Sequence, residues 1–236
     1  IRDRIKYWRE YCLNSRLDAN DRRLHMFHIN LWGPTSLGWS LEECHQRFLQ
    51  NPSAIDDVVQ ILEFRSKKAS ITHGQWKTGI PLQIHAEYSR GEILAALGHW
   101  TTENRMRSTE GVLHLANQKV DAFFVDLHKT EKHFSPTTMY DDYVISEQLF
   151  HWQSQSTTSD TSPTGQRYVN HAKLGYTPLL FVRNRKKLES GLTSPFIFLG
   201  PCIHCSHEGS RPISIVWKLE TPLPSRFLRL KSKSVI

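Results

Sequence analysis

Apolar residues recur at helical spacing through the first part of the chain. Over residues 1–13 they fall close to a period of 3.6 residues, at Ile5, Trp8, Tyr11 and Cys12. Ser40 precedes a second apolar run, and Glu43 follows it three residues later. This pair predicts a capping box, in which each side chain accepts a hydrogen bond from the other's backbone N–H, and a helix that runs to Leu49.

Two further helices are predicted from the same pattern. Ser53 is a candidate N-cap for a helix to Phe64. Its predicted apolar face comprises Ile55, Val58, Val59, Ile61 and Leu62. Residues 67–81 are interpreted as a connection. Ser89 then predicts the start of a short helix that Gly98 terminates. Its inward residues are expected to be Ile93, Leu94 and Leu97.

After Gly111 the pattern changes to short apolar runs that are typical of β-strands. The predicted strands are 112–115, 120–127, 143–152, 178–182, 196–199 and 213–219. We therefore predict an α+β fold, in which a helical lead-in, residues 1–98, packs on a curved mixed β-sheet or partly closed barrel formed by residues 99–236. The loop 154–165 is long, polar and rich in Ser and Thr, which is typical of functional or mobile loops.

Composition limits the class of protein. Hydrophobic residues make up 39% of the 236 residues, which is enough for a sizeable core. No stretch approaches the ~18 consecutive apolar residues of a membrane-spanning helix. Four cysteines do not make a secreted disulfide framework, so we expect a reducing, cytoplasmic location. The chain begins at Ile1 inside a charged amphipathic pattern, and we infer that it was cut from a larger protein.

Charge favours a polyanionic partner. The chain has 30 Lys and Arg against 23 Asp and Glu, a formal net charge of +7 and a sequence pI near 9.3. A pI above ~9 is common among domains that bind nucleic acids. The excess is spread along the chain, however, and short basic runs are also found on ordinary solvated surfaces.

The segment Phe134–Tyr168 combines aromatic rings, amides and acids, which are the groups that hold an extruded base. The candidate base pocket comprises Tyr140, Asp141, Asp142, Tyr143, Trp152, Gln153 and Gln155. Rings would stack on the base, and an acid would accept from a cytosine amine. Gln153 and Gln155 alternate with Trp152 along a strand, so the amides and the Trp are expected on opposite faces. The alternative is a strand and loop whose aromatic residues belong to the core.

Common catalytic signatures are missing from the sequence. It contains no GxxxxGK[ST], GxSxG, HExxH or GxGxxG motif. Cys202 and Cys205 in PCIHCSH could suggest zinc, but no second Cys pair exists, and on a strand the two would point to opposite faces. A nuclease centre built from Asp126, His128, Glu131 and His133 is a further alternative to ordinary exposed turn residues. We expect no metal, no cofactor and no catalytic residue.

Long segments resemble a known family. These are YSRGEILAALG, the run from VDAFFVDLHKTEKHF to SPTGQRY, LLFVRNRKK, and FIFLGPCIHCSHEGSRPISIVWKLETPLP. They cover roughly residues 85–224 and are similar to the C-terminal domain of unknown function of bacterial phospholipase-D-nuclease/helicase proteins, of which the SauUSI-type Type IV restriction enzymes are members. In that family the nuclease and the helicase motor cut and translocate. The C-terminal domain is thought to select modified DNA through an SRA-like, PUA-type sheet.

The resemblance implies a targeting module rather than an enzyme, within a larger ATP-dependent endonuclease. Its expected partners are double-stranded modified DNA and the helicase and nuclease domains of the same polypeptide, with no membrane, and a homodimer is a further expected possibility. The base would be 5-methyl- or 5-hydroxymethylcytosine, flipped into the aromatic pocket. Phosphates would be held by Lys129, Arg167, Arg183, Arg185, Lys186, Lys187 and Arg211. The alternatives are a structural or dimerisation domain that contacts the motor, and a reader of phosphorothioate DNA.

Overall fold

The chain divides into two compact units. The computed structural model describes residues 2–14, 18, 21–33, 38–68, 74–105, 108–127 and 142–227. The units are Ile1–Arg107 and Ser108–Ile236, whereas composition suggested a division between residues 98 and 99. The fold is α+β, with helices and a large mixed sheet. Within the described ranges, no helix has the length and apolar character needed to cross a membrane.

The first unit is mainly helical. Its helices are α1 (Arg2–Asn14), α2 (Arg22–Trp32), α3 (Leu41–Leu49), α4 (Pro52–Lys68) and α5 (Arg90–Ala96). Its strands are β1 (Gln75–Lys77), β2 (Ile80–Gln83) and β3 (Glu87–Tyr88). Complete capping boxes begin α3, between Ser40 and Glu43, and α5, between Ser89 and Glu92. Both predicted helix starts are therefore confirmed, and Gly98 follows α5 with a φ of +71°.

Three expectations for this unit are wrong. Helix α4 begins at Pro52, so Ser53 lies inside the helix and does not cap it; proline is favoured in a first turn because its missing N–H has no partner there. Ile61 is 61% exposed and faces solvent rather than the core. Residues 67–81 are not a plain connection, because β1 and part of β2 form a hairpin there.

A buried hydrogen-bond network joins three helices of the first unit. Trp32 Nε1 donates to His28 Nδ1 over 3.0 Å, which leaves His28 Nε2 to carry the proton and donate to Tyr11 Oη over 2.8 Å. Tyr11 can then donate to His45 Nδ1 over 2.6 Å. Burial, followed by the nearby His45 and His25, lowers the pKa of His28 to about 3. Burial also lowers the pKa of His45.

The second unit is built on one open mixed sheet. Its strands are β4 (Val112–Leu115), β5 (Val120–Asp126), β6 (Tyr143–Val144), β7 (Leu149–Gln153), β8 (Thr177–Arg183), β9 (Phe196–Glu208) and β10 (Ser214–Leu219). They are hydrogen-bonded in the order β4-β5-β8-β9-β10-β7-β6. Because β4 and β6 lie at opposite ends of this order, the described strands do not form a closed barrel. Short helices α6 (Pro163–Val169) and α7 (His171–Leu174) precede β8.

Strands β5 and β8 form the centre of this unit. They pair in parallel and are buried along almost their whole length. Continuous apolar sequence is typical of strands that are covered on both faces. The predicted strand at residues 120–127 is therefore confirmed. The predicted strand at 143–152 is instead two strands, β6 and β7, and β9 continues far beyond the predicted 196–199.

Two buried ion pairs stabilise this centre. Asp121 is 1% exposed, and its carboxylate accepts from Arg167 Nε over 2.7 Å and pairs with His114 Nδ1 over 2.9 Å. At the other end of β5, Asp126 pairs with Arg183, which stands directly opposite it on β8. A buried carboxylate needs such partners, since desolvation of an unpaired charge is costly.

The histidine network should make stability sensitive to acid. The folded chain resists protonation of His28, whereas the unfolded chain takes up that proton below the ordinary histidine pKa near 6.5. The free energy of unfolding should therefore fall as pH drops from 6.5 towards 3. Between pH 7.5 and 5.5, urea titrations should show wild type losing about 1.4 kcal/mol more than His28→Gln. Equal pH slopes for the two proteins would contradict the prediction.

The ion pair at Asp121 should contribute strongly to the free energy of unfolding. Arg167→Ala leaves a carboxylate whose side chain is 2% exposed without its cation. We expect the free energy of unfolding in urea to fall by about 3–5 kcal/mol. The control is Arg185→Ala, which removes an exposed arginine and should change stability by no more than about 0.5 kcal/mol. Similar values for both variants would show that the pair does not stabilise the fold.

Candidate nucleic-acid interface

The predicted base pocket separates into several places. Tyr140 and Asp141 lie outside the described residues, as do Lys129, His128, Glu131 and His133. The remaining pocket residues are Asp142, Tyr143, Trp152, Gln153 and Gln155. Strands β6 and β7 and the loop that follows them position these five, and they do not converge on one cavity.

Trp152 belongs to the hydrophobic core rather than to an open pocket. It is 5% exposed, its ring centroid lies 4.6 Å from that of Phe123, and Tyr168 meets it edge-on at 5.5 Å. Trp217 completes the same cluster. The reason is that side chains alternate between the two faces of a strand. Trp152 lies opposite Ile215 on β10, and both point to the covered side of the sheet.

Gln153 lies on the other side of the sheet, as alternation along the strand predicted, and Tyr143 lies on that side with it. The register aligns Tyr143 with His151, His151 with Val216, and Gln153 with Ser214. We call these five half-buried residues the outer sheet face. Tyr143 stacks on His151 with centroids 4.6 Å apart and planes inclined by 17°. Gln153 Nε2 donates to Ser214 Oγ over 3.2 Å. The face thus combines a stacked ring pair with an amide and a hydroxyl.

Asp142 has a backbone role. It is 2% exposed, and its Oδ1 accepts from the backbone N–H of Gln153 over 2.9 Å. This bond connects the residue that precedes β6 to the last residue of β7. A carboxylate that is buried and already bonded is not placed to accept from an incoming cytosine amine, so the proposed role of Asp142 is replaced by a structural one.

Gln155 belongs to a folded loop. Its carbonyl accepts from the Thr158 N–H over 2.9 Å, and its Oε1 accepts from Thr158 Oγ1 over 3.3 Å. Ser162 caps α6, and Gly165 is needed there because a Cβ at that position would lie 2.0 Å from the Ser159 carbonyl oxygen. The polar loop 154–165 therefore packs closely against its own helix, which the Ser- and Thr-rich sequence alone did not predict.

The predicted phosphate ligands fall into two groups. Arg167 and Arg183 are largely buried and bound to Asp121 and Asp126, so they are structural residues and do not present a free charge. Arg183 also lies over the ring of Phe196, 4.2 Å from its centroid. The other group consists of exposed cations, namely Arg185, Lys186, Lys187 and Arg211. Among the described residues, none of these four forms an ion pair.

Three of the exposed cations share one largely exposed element, residues 184–195, which we call the basic hairpin. Lys187 pairs with Thr193, and the Ser194 N–H donates to the Lys186 carbonyl over 3.0 Å. The hairpin closes through Gly191, whose φ of +82° favours glycine and whose N–H donates to Leu188 O over 3.0 Å. Consecutive cations on an exposed hairpin can reach the phosphates of a duplex.

Arg211 lies apart, in the turn between β9 and β10. Its φ is +61°, and its N–H donates to the carbonyl of Thr158 over 3.1 Å. The side chain is exposed. A hydrogen bond from Ser210, the largest effect, lowers the pKa of the nearby Asp160 carboxyl despite the opposing effect of desolvation. The turn and the polar loop are thus joined by the backbone hydrogen bond of Arg211 and by Ser210.

The PCIHCSH segment, where we expected no metal site, lies on strand β9. Cys202 is buried in the core, whereas Cys205 is exposed. His204 Nε2 lies 3.0 Å from His207 Nδ1, and burial, before its neighbours His207 and His171, lowers the pKa of His204. Among the described residues, no group of three or more His, Cys, Asp or Glu side chains is arranged to hold a metal ion.

Sequence reasoning did not single out two features of this unit. One is His151, which lies between Tyr143 and Val216 across the sheet and whose partner depends on the register of three strands. The other is the pair Leu188 and Leu192, which are 50% and 67% exposed at the end of the basic hairpin. An NRKKLESGL sequence with a glycine after a polar pair is a hairpin signal that could have revealed it.

Comparisons with known proteins identify a family but no activity. The comparison with curated proteins gives no match. Among solved structures, the chain is similar to the crystal structure of Arabidopsis thaliana SUVH6 in complex with SAM, at 11% identity and a TM-score of 0.44 over 99% of this chain. It spans 43% of that protein's chain, and a likeness at this score supports no further conclusion. A family model matches residues 82–229, well over half of the sequence, and the chain therefore belongs to the family described as a domain of unknown function (DUF3427).

Proposed function

We propose that the chain is a DNA-recognition module that selects a modified base. The observation that carries the proposal is the row of exposed cations Arg185, Lys186 and Lys187 on the basic hairpin. Phosphate contacts of this kind supply affinity and salt dependence but do not choose a sequence. The formal net charge of the whole chain, +7, is also positive, which favours a polyanionic partner.

The outer sheet face is the proposed place of base recognition. A base can stack on the Tyr143–His151 pair, and base–aromatic stacking contributes about 1–3 kcal/mol. Gln153 and Ser214 offer donors and acceptors beside those rings. This site replaces the pocket that was expected around Trp152 and Asp142, because both of those residues have structural roles.

The resemblance to Type IV restriction proteins supports the finer proposal. The base would be 5-methyl- or 5-hydroxymethylcytosine, flipped out of the duplex, within an SRA-like sheet. The chain would guide the nuclease and helicase domains of the same bacterial, cytoplasmic protein during phage defence, and would not itself be catalytic. The extruded base costs a few kcal/mol to unstack, so stacking on Tyr143 and its neighbours must offset that cost.

The first test measures binding to duplexes that carry cytosine, 5-methylcytosine or 5-hydroxymethylcytosine, by fluorescence anisotropy over a range of salt. Lys186→Ala combined with Lys187→Ala should weaken binding to all three alike. It should also reduce the slope of log K against log salt by about 1.8. The matched control is Lys6→Ala with Lys173→Ala, which removes the same charge from two other exposed positions and should change the slope little.

The outcome also separates the alternatives. A wild-type chain that binds none of the duplexes at low salt would favour the structural or dimerisation role. Cleavage of the duplex after addition of Mg²⁺ would show that the chain is an enzyme. A fourth duplex with a phosphorothioate backbone completes the series. Preferential binding to it would show that the chain recognises phosphorothioate DNA rather than a modified base.

The second test addresses the base site. Tyr143→Ala should leave folding and weak salt-dependent binding intact but reduce the preference for modified over unmodified duplex by about 1–3 kcal/mol. Tyr176→Ala is the matched control, because it removes the ring of another Tyr–His stack, 5.4 Å from His114. Trp152→Ala should instead lower stability by about 3–5 kcal/mol in a thermal melt. If Tyr143→Ala and Tyr176→Ala keep the same preference, the outer sheet face does not read the base.

A further inference from the structure

The end of the basic hairpin is apolar. Leu188 and Leu192 are 50% and 67% exposed, and the Leu188 N–H donates to the Leu192 carbonyl over 2.8 Å. Because Lys187 pairs with Thr193, the two leucines are the next cross-strand pair and project to the same face. Single exposed leucines are ordinary, but an adjacent pair at the end of a largely exposed element is a small apolar patch.

Backbone hydrogen bonds close the hairpin on both sides of this patch. Only residues 189–191 separate the two leucines, and the Gly191 N–H closes that short loop on the Leu188 carbonyl. The Ser194–Lys186 bond closes the stem. A short hairpin loop of this kind loses little further conformational freedom on binding, so its tip can enter a narrow space at low entropic cost.

The charge of the neighbouring residues indicates which kind of partner the hairpin tip would enter. Arg185, Lys186 and Lys187 precede the leucines directly, and Glu189 is the one acid of the hairpin. The three residue steps from Arg185 to Leu188 can span at most about 10 Å when fully extended. That length is comparable to the depth of a DNA groove, about 7.5–8.5 Å. Cations at the rim of a groove and an apolar tip inside it match the chemistry of a duplex.

We propose that Leu188 and Leu192 act as a wedge that enters duplex DNA and unstacks a base step, while Arg185, Lys186 and Lys187 hold the flanking phosphates. Leucine is among the side chains that separate base pairs in this manner. The inference rests on the proposed DNA-binding function and adds to it a residue pair that distorts the duplex. It is separate from the outer sheet face, which concerns the base itself.

The test uses the full chain and a duplex that contains 2-aminopurine, whose fluorescence rises when it loses its stacked neighbours. Wild type should raise the fluorescence severalfold at saturation. Leu188→Ser combined with Leu192→Ser should remove that rise and weaken binding about tenfold. The slope of log K against log salt should not change, since the phosphate contacts remain. Because both positions are exposed, the variant should melt like wild type.

Leu174→Ser is the matched control. Leu174 is 45% exposed on α7, away from the hairpin sequence, and its loss should preserve the fluorescence rise. If wild type binds the duplex without raising the fluorescence, the wedge is wrong and the DNA-binding function stands. If wild type does not bind the duplex, both the wedge and the proposed DNA-binding function are wrong. If the double variant keeps the fluorescence rise but loses self-association in sedimentation velocity, the leucines contact another protein surface instead.

Discussion

The second unit depends on the need to neutralise two acids at the two ends of one buried strand. Asp121 and Asp126 begin and end the continuous apolar run of β5, and neither carboxylate can be solvated as it would be on a surface. Each is paired with an arginine, one from α6 and one from the neighbouring strand β8. The pairs therefore fix the helix and the parallel strand on β5, and they remove Arg167 and Arg183 from the charges available to a partner.

Because some cations are held in buried ion pairs, the net charge of the chain does not describe the charge that a partner meets at the surface. A formal charge of +7 counts buried and exposed arginines equally. Once the two paired arginines are set aside, the exposed charge of the second unit is concentrated in part on the basic hairpin. A polyanion responds to the local density of charge within about a Debye length, which is ~8 Å at physiological salt. Three consecutive cations on one element consequently matter more than the whole-chain sum.

Local signals in the sequence predicted local structure well. Ser40 with Glu43, and the apolar run of β5, act within a few residues and gave the correct elements. Alternation also separated Trp152 from Gln153 correctly, but it could not say which face is covered, because that depends on strands far along the chain. The pairing of Arg183 with Asp126 joins residues 57 positions apart. The polar half of β9 was missed for the same reason, since its neighbour β10 supplies the hydrogen bonds.

Affinity for DNA and selectivity for one base have different physical requirements, and the proposed function assigns a different surface of the second unit to each. The hairpin presents charge and an apolar tip on a largely exposed element, where contact with a backbone does not depend on the identity of the base. The outer sheet face holds Tyr143 and His151 in a register fixed by neighbouring strands, so the ring positions are defined more closely than on a loop. Discrimination of a single methyl or hydroxymethyl group requires such fixed geometry, because the difference amounts to only about 1–3 kcal/mol. Under the proposed DNA-binding function, the sheet is therefore the better place for base selection, and the hairpin the better place for holding and deforming the duplex.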